Sequence, residues 1–289
     1  MKAEKKVEKI CDGITSLFCC GESLLVGSVD DSLQLLDSSY QKIKKAKVPL
    51  GCVSLKANND IVVVSGFDNN MRVFSKDSLE EKKVIEGKPC ESWKVEFSQS
   101  KPVFYTGGQN GVLKGYSFES GEEKYFAKAF SEGHFIMALK SGIEDNLYVG
   151  SSLGSLNMFS EDLKEQKTVN LGLTCGIRTL SVGFDPSKLI IGCDDFRIYI
   201  ADLEKEKLLS QRAFEGHNDL ITDVYAFYDR PQFVSASLDK TVKHWDAREG
   251  FVGNLYVKDD KCIWAVTYLE KEKDLVLGAD SGELIVLNI

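Results

Sequence analysis

The feature that most constrains this chain is an internal repeat of about 42 residues. Seven short apolar runs, such as SLLVGS and LVLGAD, each end in a small residue that can be aligned with the others. A period of roughly 20 to 50 residues is typical of proteins built from stacked copies of one unit, because a single unit cannot bury its apolar face alone. The aligned residues are Gly27, Ser65, Gly107, Gly150, Gly192, Ala236 and Gly278, which gives spacings of 38, 42, 43, 42, 44 and 42 residues.

Two further columns indicate what each unit contains. Six residues after the small residue every repeat is apolar, and nine residues after it none is charged. Turn residues such as DNN and DSG lie just before these columns and predict two strands joined by a tight hairpin. Another apolar segment precedes them and another follows, so we predict four strands per repeat. The two columns are Leu33, Met71, Leu113, Leu156, Ile198, Val242 and Leu284, and Leu36, Phe74, Tyr116, Phe159, Ala201, Trp245 and Leu287.

Seven units of four strands predict an all-β fold, a seven-bladed β-propeller formed by residues 1–289 as a single domain. The repeats would close near residues 37, 75, 117, 160, 202, 246 and 288. An open ring would expose a sheet edge, and repeat seven stops at Ile289 directly after its third strand. We therefore expect residues about 4 to 10 to form the outer strand of the last blade and to close the ring.

One repeat carries a complete motif, GHNDLITDVYAFYDRPQFVSASLDKTVKHWD, at residues 216–246. Its Gly-His start, its hairpin Asp and its closing Trp-Asp resemble the WD-repeat family. This resemblance implies that His217, Ser235, Asp239 and Trp245 form a buried hydrogen-bonded chain inside one blade. Ser, His and Asp also form hydrolase triads, but no oxyanion-binding element is suggested nearby. We interpret the four residues as structural.

Composition restricts the class of partner. The chain has 36 basic and 44 acidic residues, a net charge of −8 that opposes binding to a phosphate backbone. No window approaches the roughly 18 apolar residues of a membrane span, and the first residues lack the apolar centre of a signal peptide. We expect a cytoplasmic location, with a nuclear pool as a second expectation, no direct nucleic-acid partner and no membrane partner.

Motifs for catalysis or for cofactors are weak. Gly150, Ser152 and Gly154 match the GxSxG of a nucleophile elbow, but that motif requires a following helix and here the predicted strand SLNMF follows. No P-loop and no GxGxxG is present, and no histidine has a partner at metal-ligand spacing. We therefore predict no catalytic residues, no cofactor and no metal.

Eight cysteines are present without any CxxC pair. In a chain of this length they are interpreted as reduced, mostly buried thiols rather than as a disulfide framework. Cys19 and Cys20 are adjacent, and no role is predicted for them.

The surface around the opening of the ring is the remaining candidate site. In a propeller the residue just inside the first strand of each blade and its hairpin neighbour face this narrow opening. Aromatic side chains there have the composition of a binding hot spot, although the alternative that both Trp residues pack inward stays open. The predicted contact residues are Trp93, Trp264, Met137, Arg178, Phe67, Gln109 and Asp280, in a ring completed by Thr15, Val53, Thr222, Val29, Ser152, Asp194 and Leu238.

Three stretches are similar to one WD-repeat subfamily, the small WD-repeat subunit of the superkiller complex, which higher eukaryotes also place in the RNA polymerase II-associated factor complex. They are ESWKVEF with GYSFESGEEKY, SASLDKTVKHWDAREG, and CIWAVTY with LGADSGELIVLNI. The resemblance implies a non-catalytic scaffold that binds a tetratricopeptide-repeat subunit. That subunit would help to hold an RNA helicase that feeds mRNA to the exosome for 3′-to-5′ decay. Thr15 stands where members of this subfamily usually carry an aromatic residue.

Two alternatives stay open. One is a WD-repeat adaptor of another complex, either a methyltransferase cofactor or a signalling scaffold. The other is a propeller enzyme, which would require a deep central pocket with clustered ionisable groups.

Overall fold

Each of the first six repeats folds into one four-stranded antiparallel sheet in which the strands follow chain order, and the seventh sheet combines the last three strands with the first strand of the chain. The computed structural model describes residues 4–142, 145–209, 213–257 and 260–289, and of residues 4–7 only the backbone. Within these ranges seven such sheets are present, and together they form a seven-bladed β-propeller. The predicted fold is confirmed.

The strands are short, mostly four to seven residues, and in blades 1 to 6 three largely buried strands are followed by one more exposed outer strand. Blade 1 consists of β2 to β5, and blades 2 to 6 take the next four strands each. Blade 7 consists of β26 to β28 with β1. In chain order the strands are β1 (Glu4–Lys9), β2 (Ile14–Cys20), β3 (Ser23–Ser28), β4 (Ser32–Leu36), β5 (Lys42–Lys47), β6 (Cys52–Ala57), β7 (Ile61–Gly66), β8 (Met71–Ser75), β9 (Glu81–Ile85), β10 (Lys94–Phe97), β11 (Val103–Gly107), β12 (Val112–Ser117), β13 (Glu123–Lys128), β14 (Ile136–Ser141), β15 (Asn146–Ser151), β16 (Leu156–Ser160), β17 (Gln166–Val169), β18 (Ile177–Val182), β19 (Lys188–Cys193), β20 (Ile198–Asp202), β21 (Lys207–Leu208), β22 (Ile221–Ala226), β23 (Gln232–Ser237), β24 (Thr241–Asp246), β25 (Gly250–Val257), β26 (Ile263–Leu269), β27 (Asp274–Ala279) and β28 (Glu283–Asn288).

The ring is closed by the first strand of the chain. β1 pairs antiparallel with β28, from Glu4 opposite Leu287 to Lys9 opposite Glu283, with one bulge. This pairing provides hydrogen-bond partners for the backbone groups along the edge of β28, which blade 7 would otherwise expose. The predicted closing segment, residues about 4 to 10, agrees with the observed strand.

The hydrophobic core lies between blades rather than inside one. Seven buried clusters are present in the described residues, each combining side chains of two neighbouring sheets. At the seam between blades 7 and 1, Ile14 and Leu24 pack with Leu284 and Val286. All four side chains are at most 1% exposed, so closure buries a complete blade interface.

The hairpin between the second and third strands has the same backbone form in every blade. Four residues after the small-residue column the backbone has a positive φ. Such a conformation favours Gly, Asn and Asp because they tolerate the left-handed region. At Gly282 a side chain is also sterically excluded, since a Cβ would lie 1.8 Å from the carbonyl oxygen of Cys11. The seven positions are Asp31, Asn69, Gly111, Gly154, Phe196, Lys240 and Gly282.

Helical structure is almost absent from the part of the chain that the structure describes. A single 3₁₀ turn, Gln109–Gly111, lies in the blade 3 hairpin, and no helix in these ranges could cross a membrane. The GxSxG segment likewise forms the hairpin between β15 and β16, and a strand follows it. It therefore lacks the strand-to-helix turn of a nucleophile elbow. In blade 5 the apolar segment that follows the third strand, KLLSQRA, includes residues 210–212, which lie outside the described residues.

Candidate functional site

One face of the ring carries both groups of residues that the sequence analysis singled out. Ile221, at the start of β22, pairs with Ser237, at the end of β23, so the start of a first strand lies beside the hairpin that follows the second strand. The other blades repeat this pairing. We call this end of the molecule the hairpin face. The loops that join first and second strands, such as the one containing Tyr228, lie at the opposite face.

A β-bulge near the start of the first strand explains why one side chain per blade turns toward the opening. In six blades the register shifts there and leaves one residue without a cross-strand partner. Bulges re-aim a side chain and interrupt pairing. In blade 3 Trp93 directly precedes β10, and its amide nitrogen donates to the Gly107 oxygen over 3.0 Å. The six bulge residues are Thr15, Val53, Met137, Arg178, Thr222 and Trp264.

Three aromatic rings form a cluster on the hairpin face across blades 2, 3 and 4. The ring centroids of Phe67 and Trp93 lie 6.2 Å apart, and those of Trp93 and Phe135 lie 5.6 Å apart, both edge-to-face. Phe67 remains 43% exposed and Trp93 is half-buried between its neighbours. Edge-to-face packing fixes the rings in place and leaves one side of the cluster open to solvent. We call these three residues the aromatic cluster.

Trp264 lies in blade 7 on the same face and is 41% exposed. Neither it nor Trp93 is among the fully buried side chains, which argues against the alternative that both Trp residues pack inward. Other exposed apolar side chains surround the opening. They are Val29, Leu50, Phe67, Leu153 and Phe196, each at least 39% exposed.

The sequence analysis missed Phe135, Leu50, Leu153 and Phe196. For Leu153 and Phe196 the reason is that only one hairpin position per blade was considered, two residues after the small-residue column, whereas these tips extend one or two residues further. Leu50 and Phe135 instead lie in the segments just before β6 and β14. The positive-φ column four residues after the small residue is a signal that could have located Phe196.

The polar residues of the predicted surface differ in their contacts. Arg178 Nε donates to Asp194 Oδ1 over 2.6 Å, so this guanidinium is already paired within its own blade. Met137 is half-buried, while Gln109 and Asp280 are exposed. An oxygen of Asp280 also accepts the Cys262 amide proton over 3.2 Å, which ties the hairpin to the strand entrance.

The central channel is narrow next to this face, where it forms a cavity of about 100 Å³ lined by inner-strand residues of the blades, among them Lys94 and Asp223. Toward the opposite face the channel widens into a cavity of about 500 Å³, which shares Lys56 and Asp223 with the narrow end and extends to Tyr228. Burial lowers the pKa of Lys94 and raises that of Asp223, and the opposite charge of each partner counteracts both shifts. The narrow end holds a few water molecules and is well below the roughly 300 Å³ of an ordinary small-molecule site, whereas the wider cavity at the opposite face exceeds that volume.

In blade 6 the structure brings His217, Ser235, Asp239 and Trp245 together. His217 Nδ1 lies 2.7 Å from Asp239 Oδ2, and its Nε2 lies 2.7 Å from Ser235 Oγ. Trp245 Nε1 donates to the same Ser235 oxygen over 2.8 Å. Burial raises the pKa of Asp239, but hydrogen bonds from His217 and Thr241 outweigh it and hold this pKa well below its usual range.

This constellation has the connectivity of a hydrolase triad but no access for a substrate. The Ser235 side chain is completely buried, and its oxygen already bonds both His217 and Trp245. A catalytic serine must reach the carbonyl carbon of a substrate, and the buried Ser235 oxygen has no such access. The geometry therefore matches a structural hydrogen-bonded chain within one blade.

The free thiols differ in their surroundings. Burial raises the pKa of Cys19 to about 11 and that of Cys20 to about 12, which leaves little thiolate at neutral pH. Cys175 and Cys193, separated by 18 positions in sequence, lie close to one another and to Asp195. Sequence spacing gave no indication of this group.

The fold and the surface together define a class of protein: a β-propeller with exposed aromatic side chains on one face. Residues 208–246, which include the first three strands of blade 6, match the family model described as WD domain, G-beta repeat. The other six blades carry the same four-stranded architecture with degenerate sequences.

Two curated relatives contain similar segments. The chain is 27% identical over 146 residues to the U3 small nucleolar RNA-associated protein 21 homolog of Schizosaccharomyces pombe, which is 50% of this chain and 16% of that protein. It is 39% identical over 66 residues to the WD repeat domain-containing protein 83 homolog of Dictyostelium discoideum, 23% of this chain and 20% of that protein. The chain therefore spans a fifth or less of either relative's length, and neither name is that of a superkiller subunit.

Proposed function

We propose that this protein is a non-catalytic interaction scaffold that binds an extended peptide segment of a partner across its hairpin face. The observation that carries the proposal is the aromatic cluster of Phe67, Trp93 and Phe135, with Trp264 exposed across the opening. Rigid aromatic groups bury large apolar area at low entropic cost and dominate the energy of many interfaces.

The backbone conformation of Phe196 also supports the hairpin face as the binding surface. This residue has a φ of 69° where the other hairpins carry Gly, Asn, Asp or Lys, and its ring is 39% exposed. A bulky side chain held in the left-handed region costs free energy and is found preferentially at functional positions. Exposure of a large apolar group is a second unfavourable feature, which partner binding would relieve.

Charge has a secondary role in this proposal. The Nε of Arg178 is paired with Asp194. The terminal nitrogens of the same guanidinium provide further donors for a carboxylate or carbonyl of the peptide. The net charge of −8 affects the rate at which a partner associates, whereas the apolar contacts determine how long the complex lasts.

For the identity of the partner we propose the tetratricopeptide-repeat subunit of a superkiller-type complex, with its RNA helicase and the exosome beyond it. The support is the sequence resemblance of three stretches, of which ESWKVEF includes Trp93 and CIWAVTY includes Trp264. In this role the helicase carries the chemistry, and the propeller works in the cytoplasm, with a nuclear pool if it also joins an elongation complex. The alternative is an adaptor of another complex, since the curated relatives bear other names, one of them that of a WD repeat domain-containing protein.

The test is affinity purification from the native cell with three variants. Trp93→Ala and Trp264→Ala each remove one aromatic anchor, and truncating an anchor typically costs about 2 kcal/mol, roughly 30-fold in affinity. Phe251→Ala is the matched control because Phe251 is an aromatic residue 53% exposed on the outer strand of blade 6, away from the hairpin face. Quantitative mass spectrometry then measures recovery of each copurifying protein.

We expect both Trp variants to melt like the parent and to lose the same partner, while Phe251→Ala retains it. If both Trp variants fold normally and keep all partners at parental levels, the proposed surface is wrong. Recovery of a partner set without a tetratricopeptide-repeat subunit or RNA helicase would leave the surface intact and replace the superkiller assignment by the adaptor alternative.

A further inference from the structure

Blade 5 brings two thiols and a carboxylate together at the hairpin face, the end of the blade at which His217 and Asp239 are hydrogen-bonded in blade 6. Ile177 pairs with Cys193 in blade 5, as Ile221 pairs with Ser237 in blade 6. Counting from these pairs, Cys175 and Asp195 of blade 5 stand at the positions of Asp219 and Asp239 of blade 6, and Leu173 stands at that of His217. The hairpin aspartate of blade 5 therefore has no histidine to bind.

The three side chains converge on one point. The Sγ atoms of Cys175 and Cys193 and a carboxylate oxygen of Asp195 all lie within 4.8 Å of one another. Tetrahedral zinc, with Zn–S of about 2.3 Å and Zn–O of about 2.0–2.2 Å, places its donor atoms roughly 3.4 to 3.8 Å apart. Small side-chain adjustments bring the three donors into that range.

The surroundings hold the donors in position. Cys193 is fully buried, whereas Cys175 and Asp195 are half-buried and keep one side of the group accessible. Tyr199 Oη donates to Asp195 Oδ2 over 2.6 Å, and the Arg197 amide donates to Asp195 Oδ1 over 3.2 Å. Such hydrogen bonds to a ligating carboxylate fix its orientation, as outer-shell partners do in metal sites.

We propose that blade 5 binds a thiophilic divalent cation, Zn²⁺, through Cys175, Cys193 and Asp195. The cation links the entrance of β18 to the hairpin after β19, the same connection that His217 and Asp239 make in blade 6. Three protein ligands leave a fourth position for water or for a donor from a bound partner. Two thiolates favour zinc over calcium or magnesium, which prefer oxygen ligands.

Cobalt provides a direct spectroscopic probe. The full-length protein, reduced and stripped of metal, is titrated with Co²⁺, and the near-ultraviolet band of thiolate-to-cobalt charge transfer is followed. Competition by Zn²⁺ and the melting temperature with and without Zn²⁺ complete the measurement, because a ligand that binds only the folded state raises that temperature.

The variants separate ligation from folding. Cys193→Ser places in blade 5 the serine that blade 6 already has at this position, so the fold should persist, and Cys175→Ser removes the second thiol. Cys262→Ser is the matched control, since Cys262 is a half-buried thiol near Asp280 on the same face and belongs to no group of three donors in the described residues.

We expect one equivalent of Co²⁺ to bind the parent and Cys262→Ser with a charge-transfer band, displaced by Zn²⁺, and a melting temperature raised by several degrees with Zn²⁺. Both properties should be lost in Cys175→Ser and Cys193→Ser at an unchanged metal-free melting temperature. Absence of the band in the reduced parent, or equal binding by the two ligand variants, overturns the proposal. So does a disulfide between Cys175 and Cys193 that persists under reducing conditions strong enough to free the other thiols.

Discussion

At the scale of single residues, His217 is the centre of the buried hydrogen-bonded chain in blade 6. It joins Asp239 to Ser235, and Ser235 in turn accepts the indole proton of Trp245, a side chain only 1% exposed. Removing the imidazole leaves a buried hydroxyl and a carboxylate without their partner. The cost of such a loss is the desolvation of the groups that remain, which exceeds the net contribution of an ordinary hydrogen bond.

We therefore expect His217→Ala to lower the free energy of unfolding by about 1 to 3 kcal/mol, without abolishing any reaction. The measurement is urea denaturation of parent and variant. His134→Ala is the control, because His134 is half-buried and makes a longer contact, 3.1 Å from its Nδ1 to Ser151 Oγ. A larger loss for His134→Ala would contradict this reasoning, and a hydrolase activity that vanishes in a folded Ser235→Ala variant would overturn the structural interpretation of the chain.

At the scale of the elements, the hairpin between second and third strands combines a constant backbone with variable side chains. Every blade has the positive-φ residue at the same position, yet Phe196 of blade 5 is the only aromatic among the seven. The strain is local to the hairpin, since β19 and β20 pair in regular register on either side. At this turn the exposed aromatic ring therefore lowers the stability of the fold.

Phe196→Asn should raise the free energy of unfolding by about 1 kcal/mol, because Asn tolerates the left-handed conformation better than Phe. Chemical denaturation measures the change. Leu153→Asn is the control, a polar substitution of an exposed hairpin side chain that has no positive φ, and it should leave stability almost unchanged. A loss of stability in Phe196→Asn would show that the ring packs favourably and that the turn is not strained. The same variant should weaken partner binding if the hairpin face is the contact.

The elements also show what the sequence could predict and what it could not. The period, the small-residue column and the order of strands follow from patterns that repeat seven times. A wrong strand assignment in one repeat is therefore corrected by comparison with the others. The aromatic cluster depends on side chains of three different blades, and the group of Cys175, Cys193 and Asp195 depends on the pairing of two strands. Neither has a signature in linear spacing. The position that turns toward the opening was predicted from the sequence, but its backbone cause, a bulge near the start of the first strand in six blades, was visible only in the pairing register.

At the scale of the whole molecule, stability depends on closure. Each blade buries its faces against two neighbours, and the seam between blades 7 and 1 is completed by a strand from the other end of the chain. Tyr40 Oη donates to Asp274 Oδ2 across this seam over 2.7 Å, and Gln34 Nε2 donates to the Ile10 oxygen over 3.0 Å. In a repeat array an uncapped end is lost first, because its interface is exposed on one side.

Deleting residues 1–10 should therefore lower the melting temperature of the entire ring, since β28 loses its partner strand and the seam loses Ile10 and its hydrogen bond from Gln34. Differential scanning calorimetry measures the change. Removal of residues 1–3 alone, which precede β1, is the control and should have little effect. An unchanged melting temperature for the longer deletion would refute the closure argument.

The central claim is that partners bind at the hairpin face, and site-specific photo-crosslinking in the native cell tests it most directly. A photoreactive residue replaces Gln109, exposed on the hairpin face, or Tyr228, which is 59% exposed on the opposite face. Both variants are first checked for the parental melting temperature. We predict a crosslinked partner from position 109 and none from position 228, with the yield at 109 reduced when Trp93→Ala is added. Crosslinking from position 228 alone, in a protein that folds normally, would contradict the account and place the binding surface on the opposite face.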